Sequence, residues 1–175
     1  MKIQMEKELL FLDEQGVTYV YDAKGMILGR MAAHIAKQLI SAKREGRNEN
    51  VVVINCERAV VSGKKEHVIS NYKEKYQLNH PRKGPFFPRM PDKIFKRTVR
   101  GMLPYQKKAS GRMALKSLRV EIGCPQHLSN ENLPDGYEWG DKSGFSKPLP
   151  SRYMSLGDIS AAIGAPAHRW NGGGN

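Results

Sequence analysis

The chain of 175 residues has the length of one domain with a tail, or at most of a small pair of domains. Its 29 Lys and Arg against 17 Asp and Glu give a formal net charge of +12, which favours a polyanionic partner or an anionic surface. The longest aliphatic run, Val51 to Ile54, is far shorter than the roughly 20 apolar residues of a membrane-spanning helix. The first 15 residues lack the apolar centre of a secretory signal, so we expect a protein that stays in the cytoplasm, away from membranes.

The first predicted elements form a strand, a helix and a second strand. Residues Val17 to Asp22 are rich in β-branched and aromatic side chains, which is typical of a strand. Apolar residues then recur with the period of an amphipathic helix from Leu28 to Ile40. The run Val51 to Ile54 suits a strand that is buried on both faces of a parallel sheet. This order predicts a βαβ unit.

Three versatile side chains in the sequence are expected to be chemically idle. His34 falls on the polar face of the first helix, and we expect it to be solvated rather than catalytic. Cys56 and Cys124 lie far apart in the sequence without zinc-site spacing. Because the cytosol is reducing, buried or idle thiols are favoured over a disulfide or redox pair.

A second βαβ unit is favoured further along the chain. Ala59 to Val61 is a short apolar piece, and a helix is predicted after Ser62 and Gly63. Residues Leu118 to Ile122 alternate apolar and charged side chains and predict a further strand. Together these elements indicate a three-layer α/β domain, although the order of the strands does not follow from the sequence.

Two stretches are predicted to be irregular. Residues His80 to Pro91 contain four prolines and one glycine, which exclude regular structure. Residues Ser129 to Ser151 are also rich in glycine and proline and predict a tail or a surface wrap. Beyond them, Ser155 and Asp158 have the spacing of a capping box, which predicts a short helix that ends near Ile163.

The positive charge is concentrated in one third of the chain. Residues 63–119 hold 16 Lys and Arg but only three acids, whereas the rest of the chain is nearly neutral. Such clustering is typical of a nucleic-acid interface. A membrane surface is the competing interpretation, but the stretch has no lipidation motif and its helices need their apolar faces for a core.

Two predicted helices in this segment carry lines of cations. A helix from Pro91 places Lys93, Lys96, Arg97 and Arg100 on one face, and Phe95, Val99 and Met102 on another. The second helix carries a cation at every fourth residue, namely Lys108, Arg112 and Lys116. These cations stand beside the apolar residues Met113, Leu115 and Leu118. RNA phosphates are the expected ligands. Phe86 and Phe87 are equally compatible with stacking on unpaired bases and with packing against the domain.

Catalysis finds little support in the sequence. Ser62 to Lys65 resembles the end of a phosphate-binding loop, but Arg58 stands where a glycine is required and Lys65 where a Ser or Thr is required. Gly-x-Gly-x-x-Gly, Gly-x-Ser-x-Gly and His-Glu-x-x-His motifs do not occur. We therefore expect no enzyme activity, no cofactor, no metal and no small-molecule substrate.

Six motifs of the sequence occur together: Asp22 to Ala33, Val52 to Asn55, Ala59 to Gly63, Gly84 to Pro88, Ile94 to Pro104 and Leu156 to Ile159. In combination they resemble the large-subunit ribosomal protein L-thirteen family, in its archaeal and eukaryotic branch. The resemblance covers about Val17 to Leu128, with a weaker match from Tyr153 to Gly164. Residues Met1 to Gly16 look like an extension, and Asn130 to Pro150 match no pattern of the family.

The resemblance implies an α/β/α domain with a parallel four-stranded sheet that binds large-subunit ribosomal RNA beside neighbouring ribosomal proteins. It carries an RNA-contacting role onto Arg82, Lys83, Arg89, Lys96, Arg97 and Arg100. With the other cations of the basic segment, the candidate RNA-binding residues are Arg82, Lys83, Arg89, Lys93, Lys96, Arg97, Arg100, Lys107, Lys108, Arg112 and Lys116.

The sequence therefore predicts three parts: an N-terminal extension over residues 1–16, an RNA-binding core over 17–128, and a C-terminal tail over 129–175 with a short helix near 156–163. The favoured function is that of a structural component of the large ribosomal subunit, which supports subunit assembly and translation. The alternative is an RNA-processing enzyme or a ribosome-maturation factor.

Overall fold

A computed structural model describes residues 16–78, 80, 82–129 and 133–171. The predicted N-terminal extension lies outside the described residues except for Gly16. The strands are β1 (Thr18–Asp22), β2 (Asn50–Ile54), β3 (Val60–Ser62), β4 (Leu118–Val120), β5 (Tyr137–Trp139) and β6 (Tyr153–Ser155). The helices are α1 (Leu28–Arg44), α2 (Lys65–Gln77), α3 (Pro91–Met102), α4 (Ala109–Lys116), α5 (Leu156–Ala162) and α6 (His168–Asn171). Single 3₁₀ turns occur at Cys56–Arg58 and Gln126–Leu128.

Four strands form a parallel sheet in the order β4-β2-β1-β5. In the register of the sheet, Val51 of β2 lies between Tyr19 of β1 and Leu118 of β4. The crossover from β1 to β2 runs through α1, so the predicted βαβ unit is confirmed. The predicted α/β class with a four-stranded parallel sheet is confirmed as well.

Strand β2 is buried on both faces, as its continuous apolar run predicts. Val51 and Val53 are inaccessible to solvent and belong to the main core, together with side chains of α1, α3 and α4. Val52 and Ile54 point to the opposite face and pack in a smaller cluster with Leu128, which belongs to the second 3₁₀ turn. The basic segment is therefore attached to the sheet through the larger of the two cores.

The predicted second βαβ unit is wrong, because β3 is not part of the parallel sheet. It pairs antiparallel with β6 in a separate two-stranded sheet. Only the 3₁₀ turn and its flanking residues separate Ile54 from Val60. A parallel neighbour requires a crossover of about a dozen residues or more, so this connection is too short to place β3 beside β2 in the parallel sheet.

Strand β5 lies inside the glycine-rich stretch from Ser129 to Ser151, where the sequence predicts no regular structure. It pairs with β1 and completes the parallel sheet. Gly140 follows the strand, and a Cβ atom at this position would lie only 2.1 Å from Cζ of Tyr21. The glycine therefore permits a close approach that no larger residue would allow. Phe145, in the same stretch, is only 2% exposed and belongs to the core.

The expectation that His34 is a plain solvated residue is also wrong. Its ring is half-buried and lies against the rings of Tyr21 and Phe145, with centroids 5.9 and 5.0 Å away. The hydroxyl of Tyr21 donates to Oε1 of Gln38 at 2.7 Å, and burial raises the pKa of Tyr21 to about 12. These contacts fix α1 to the sheet and give His34 a packing role.

The predicted short helix α5 and its Ser155 cap are confirmed, but the Asp158 carboxylate accepts from the Ser155 hydroxyl and not from a backbone amide, as a full capping box requires. The backbone amide of Asp158 donates to Oγ of Ser155 at 3.1 Å, and the Ser155 hydroxyl donates to the Asp158 carboxylate at 2.6 Å. Gly164, with φ of 88°, follows the helix. Since Leu156 and Ile159 are inaccessible to solvent, this short helix seals one end of the main core.

Replacing Ser155 with Ala should destabilise the protein by about 1 kcal/mol, because the amide of Asp158 loses its acceptor. Urea unfolding followed by circular dichroism measures this difference. The matched control is Ser146→Ala in an exposed loop, which should leave the midpoint unchanged. Equal midpoints for the two variants would show that the cap contributes nothing.

Candidate nucleic-acid interface

The basic segment forms three helices, an extended loop and a turn. Helix α2 leads into the loop of residues 80–90, α3 follows, and the turn of residues 103–108 joins α3 to α4. The ring of His80 organises the start of the loop, since Nδ1 accepts from the backbone amides of Arg82 and Lys83 at 3.3 and 3.4 Å. The loop itself has no helix or strand among its described residues, as predicted.

Nine of the eleven candidate RNA-binding side chains are exposed, and two are half-buried. The exposed ones are Arg82, Lys83, Arg89, Lys93, Arg100, Lys107, Lys108, Arg112 and Lys116. The half-buried ones, Lys96 and Arg97, belong to the predicted cationic face of α3. That face therefore does not point uniformly to solvent.

Lys96 anchors α3 to the sheet. Its Nζ donates to the backbone carbonyl of Leu118, the first residue of β4, at 2.7 Å. The ammonium group thus stabilises the junction between α3 and β4, and it is engaged within the protein before any RNA binds. Sequence spacing places Lys96 on a cationic face, but it gives no sign of this carbonyl partner.

The variant Lys96→Met should lower stability by about 1.5 to 3 kcal/mol, because a charged donor is lost and a part-buried carbonyl is left without it. The salt dependence of RNA binding should remain as in the wild type. Urea unfolding and RNA titration at several salt concentrations measure the two effects separately. The exposed neighbour Lys93 provides the control, since Lys93→Met should show the opposite pattern. A lower salt slope without loss of stability in Lys96→Met would contradict the anchoring role.

Arg97 and the two adjacent phenylalanines resolve the question left open by the sequence. Phe87 is half-buried, and its ring meets Tyr72 of α2 edge-on at 5.9 Å. The guanidinium of Arg97 lies over Phe87 at 5.0 Å and donates to the carbonyl of Phe86 at 3.1 Å. Phe86 is 61% exposed. Phe87 is therefore a packing anchor, whereas the ring of Phe86 is accessible to a partner.

The turn between α3 and α4 lines an open cavity of about 530 Å³. The guanidinium of Arg100 lies over the Tyr105 ring at 5.6 Å, and Arg112 of α4 donates to the Tyr105 carbonyl at 3.5 Å. Lys107 completes the cationic lining. Tyr105 thus contacts one cation of α3 and one of α4 beside this cavity, a role that the sequence pattern alone did not indicate.

Arg89 ties the loop to two other elements. Its guanidinium lies over the ring of Tyr76 in α2 at 5.4 Å, and Nη1 donates to the carbonyl of Gly164 at 3.3 Å. The side chain nevertheless remains exposed. It can therefore hold the loop in place and still offer charge to an anion.

Met102, which the helix period groups with Phe95 and Val99 on the apolar face of α3, is 46% exposed, and Met113 of α4 is 56% exposed. In α3 the buried positions are taken by Pro91, Ile94, Phe95 and Val99. In α4 the inward positions are Gly111 and Ala114, whose small size lets the helix approach its neighbours closely. The larger methionine is left outside, among the cations.

Among the described residues, none of the eleven candidate cations forms an ion pair. The pairs that do form join Arg47 to Glu45 and Glu49, Arg58 to Glu57, and Arg119 to Glu121. The exposed cations therefore carry charge that no carboxylate of the described chain neutralises. This is the electrostatic property that phosphate binding requires.

Within the described residues, three other properties bear on function: metal binding, membrane spanning and thiol reactivity. There, the structure holds no group of three or more His, Cys, Asp or Glu that is suited to a metal ion. None of the helices in those same ranges is long and apolar enough to cross a membrane. Cys56 is buried, Cys124 is exposed, and both are free thiols. Burial raises the pKa of the Cys56 thiol and keeps it protonated.

Comparison with known proteins identifies the family of this chain. The family model described as Ribosomal protein L13 matches residues 17–127. The Large ribosomal subunit protein uL13 of Archaeoglobus fulgidus is 43% identical over 145 residues, which cover 83% of this chain and 86% of the relative. The proteins of the same name from Methanosarcina barkeri and Methanopyrus kandleri are each 39% identical over 146 residues, 83% of this chain and 97% and 86% of the respective relatives. The chain therefore belongs to the ribosomal protein L13 family.

Proposed function

We propose that this protein is a structural, RNA-binding component of the large ribosomal subunit in the cytoplasm. The unpaired cations of the loop, α3, the turn and α4 carry the proposal, because they are exposed and without carboxylate partners in the described chain. Family membership supports the same assignment, since the relatives are named as proteins of that subunit. The RNA that fits this role is large-subunit ribosomal RNA, and neighbouring subunit proteins are the expected protein partners.

The proposed contacts are mainly with phosphates. Arg offers a planar pair of donors and Lys a compact charge, and both suit phosphate oxygens. Such contacts fix the position of the protein on the RNA without specifying its bases. The protein would therefore act by neutralising and holding RNA segments that repel one another, which is the role of an assembly component without catalysis.

Association with the subunit is tested by sedimentation of the tagged protein on a sucrose gradient with actively translating ribosomes. We expect stoichiometric presence in the large subunit and in translating ribosomes. The alternative, an RNA-processing enzyme or maturation factor, predicts presence only in precursor particles. A free pool with none in the ribosomal fractions would contradict both assignments.

Retention by large-subunit RNA should fall steeply with salt. If all nine exposed cations of the candidate set contact phosphates, the slope of log affinity against log salt should be about −6 to −8. The slope is measured by filter binding of the purified protein to large-subunit RNA at about 50 to 400 mM salt, a range that brackets physiological ionic strength. A flat dependence on salt would contradict binding through phosphates.

A further inference from the structure

An apolar groove lies between α2, the loop and α3, about 430 Å³ in volume. The groove residues that matter here are Tyr72, Lys75 and Leu78 on the α2 side, Phe87 in the loop, and Arg97 and Gly101 in α3. Its volume falls within the roughly 300 to 1,000 Å³ of small-ligand sites. Leu78 is 70% exposed at its edge, the most exposed of the large apolar side chains described.

Two aromatic rings form a fixed wall of the groove. Tyr72 and Phe87 meet edge-on, with an interplanar angle of 75° and centroids 5.9 Å apart. Both side chains are half-buried, so each is held by the core and still reaches the groove. Aromatic side chains held in this way provide apolar contact area at low entropic cost to a planar ligand.

Two cations flank the same wall. Nζ of Lys75 lies 5.0 Å from the centre of the Tyr72 ring, and Cζ of Arg97 lies 5.0 Å from the centre of the Phe87 ring. No acid occurs among the described residues that line the groove. The groove thus combines an apolar interior with uncompensated positive charge at its rim.

We propose that this groove binds one unpaired nucleotide of RNA, with its base against the apolar wall and its phosphate on Lys75 and Arg97. This inference rests on the proposed function and adds a base-holding site to a surface that otherwise contacts phosphates. An apolar protein segment fits less well, because covering the groove with it would desolvate two cations without supplying an anion. A nucleotide supplies both the planar apolar face and the anion.

The glycine in α3 offers a way to fill the groove. A Cβ atom at Gly101 meets no atom within 4 Å, so Gly101→Leu adds an isobutyl group to open space at the groove. Gly29 of α1 is equally unobstructed and does not line the groove, so Gly29→Leu is the matched control. Because Gly101 also borders the cavity beside Tyr105, Leu78→Glu on the α2 side is a second variant, with Leu78→Gln as its uncharged control.

The probes are a 12-nucleotide adenosine RNA and the same strand annealed to a 12-nucleotide uridine RNA. We expect Gly101→Leu and Leu78→Glu to weaken binding of the single strand about tenfold, within the effect of losing one stacked base. Duplex affinity should stay unchanged in Gly101→Leu, and Gly29→Leu should match the wild type with both probes. Thermal melting establishes that each variant is folded.

Three outcomes would overturn the groove assignment. The first is an unchanged affinity for the single strand in both groove variants. The second is an equal loss of affinity for the single strand and the duplex in Gly101→Leu. The third is that the groove variants no longer sediment with large subunits although they still bind the oligonucleotides. The last result would indicate a protein occupant. In each of these cases the wild type can still sediment with large subunits, so the groove fails while the proposed function stands. Absence of the wild-type protein from large subunits is instead the failure of the proposed function.

Discussion

Neutralising six exposed cations of α3, the turn and α4 should weaken binding to large-subunit RNA by roughly a thousandfold or more at moderate salt. The substitutions are Lys93→Gln, Arg100→Gln, Lys107→Gln, Lys108→Gln, Arg112→Gln and Lys116→Gln. All six side chains are exposed, so the fold should be retained. The salt slope should shrink by about 4 to 5, because each lost phosphate contact removes about 0.7 to 0.9.

The matched control removes the same charge from elsewhere. Six exposed cations outside residues 63–119 are changed to Gln: Lys24, Arg30, Lys37, Arg44, Lys147 and Arg152. Each sextuple variant lowers the formal net charge from +12 by six units. We expect the control to bind RNA within a few-fold of the wild type. If the two variants lose affinity equally, net charge and not the placement of the cations determines binding.

The contrast between these variants follows from where the charge lies. In a protein that needs only solubility, both signs are interspersed over the surface. Here the surplus lies in residues 63–119, and the structure presents most of it on exposed side chains of connected elements. Binding that depends on phosphates should therefore respond to this segment far more than to the rest of the chain.

Sequence periodicity was sufficient to predict an element that is long or that follows one regular pattern of burial. Helix α1 follows the helical period of 3.6 residues, and strand β2 is a continuous apolar run that is buried on both faces. The structure confirms both predictions. The cap of α5 was also predictable, since a Ser and an Asp three residues apart satisfy a helix start locally. Local chemistry dictates these elements, so one sequence is enough to find them.

Elements that depend on distant partners were not predictable. Strand β5 has only three residues between two glycines, and it exists because β1 offers it an edge. The antiparallel pair of β3 and β6 joins residues more than 90 positions apart. In such cases the pairing decides the conformation, and propensity contributes little.

The candidate interface shows the same division. Exposure of Lys93 and Arg100 follows from helix spacing, whereas the half-buried positions of Lys96 and Arg97 depend on a carbonyl of β4 and on the loop. His80 and Tyr105 organise the loop and the turn through single contacts that leave no periodic signal. Residues that position the cations were thus harder to predict than the cations themselves.

Replacing Gly111 with Ala should disrupt the turn beside α4. A Cβ atom at this position would lie 2.6 Å from the carbonyl carbon and oxygen of Pro104, and 3.0 Å from the amide nitrogen of Tyr105. All three are backbone atoms, so the turn or the helix must move. Overpacking of this kind costs about 1 to 3 kcal/mol, of which the better helix propensity of Ala recovers up to about 1 kcal/mol.

The same change should also weaken RNA binding, although it removes no charge. Tyr105 lies beside Arg100 and its carbonyl accepts from Arg112, so displacement of its backbone moves these two cations relative to each other. Gly29→Ala in α1 is the control, because its Cβ meets no atom within 4 Å, it lies outside the candidate interface, and Ala is the better helix former. Urea unfolding and RNA titration should therefore move in the same direction for Gly111→Ala, with lower stability and lower affinity. If Gly111→Ala is as stable as Gly29→Ala, α4 does not approach the turn as closely as the structure has it. If stability falls while RNA affinity is kept, the geometry of the turn is not what presents these cations to RNA.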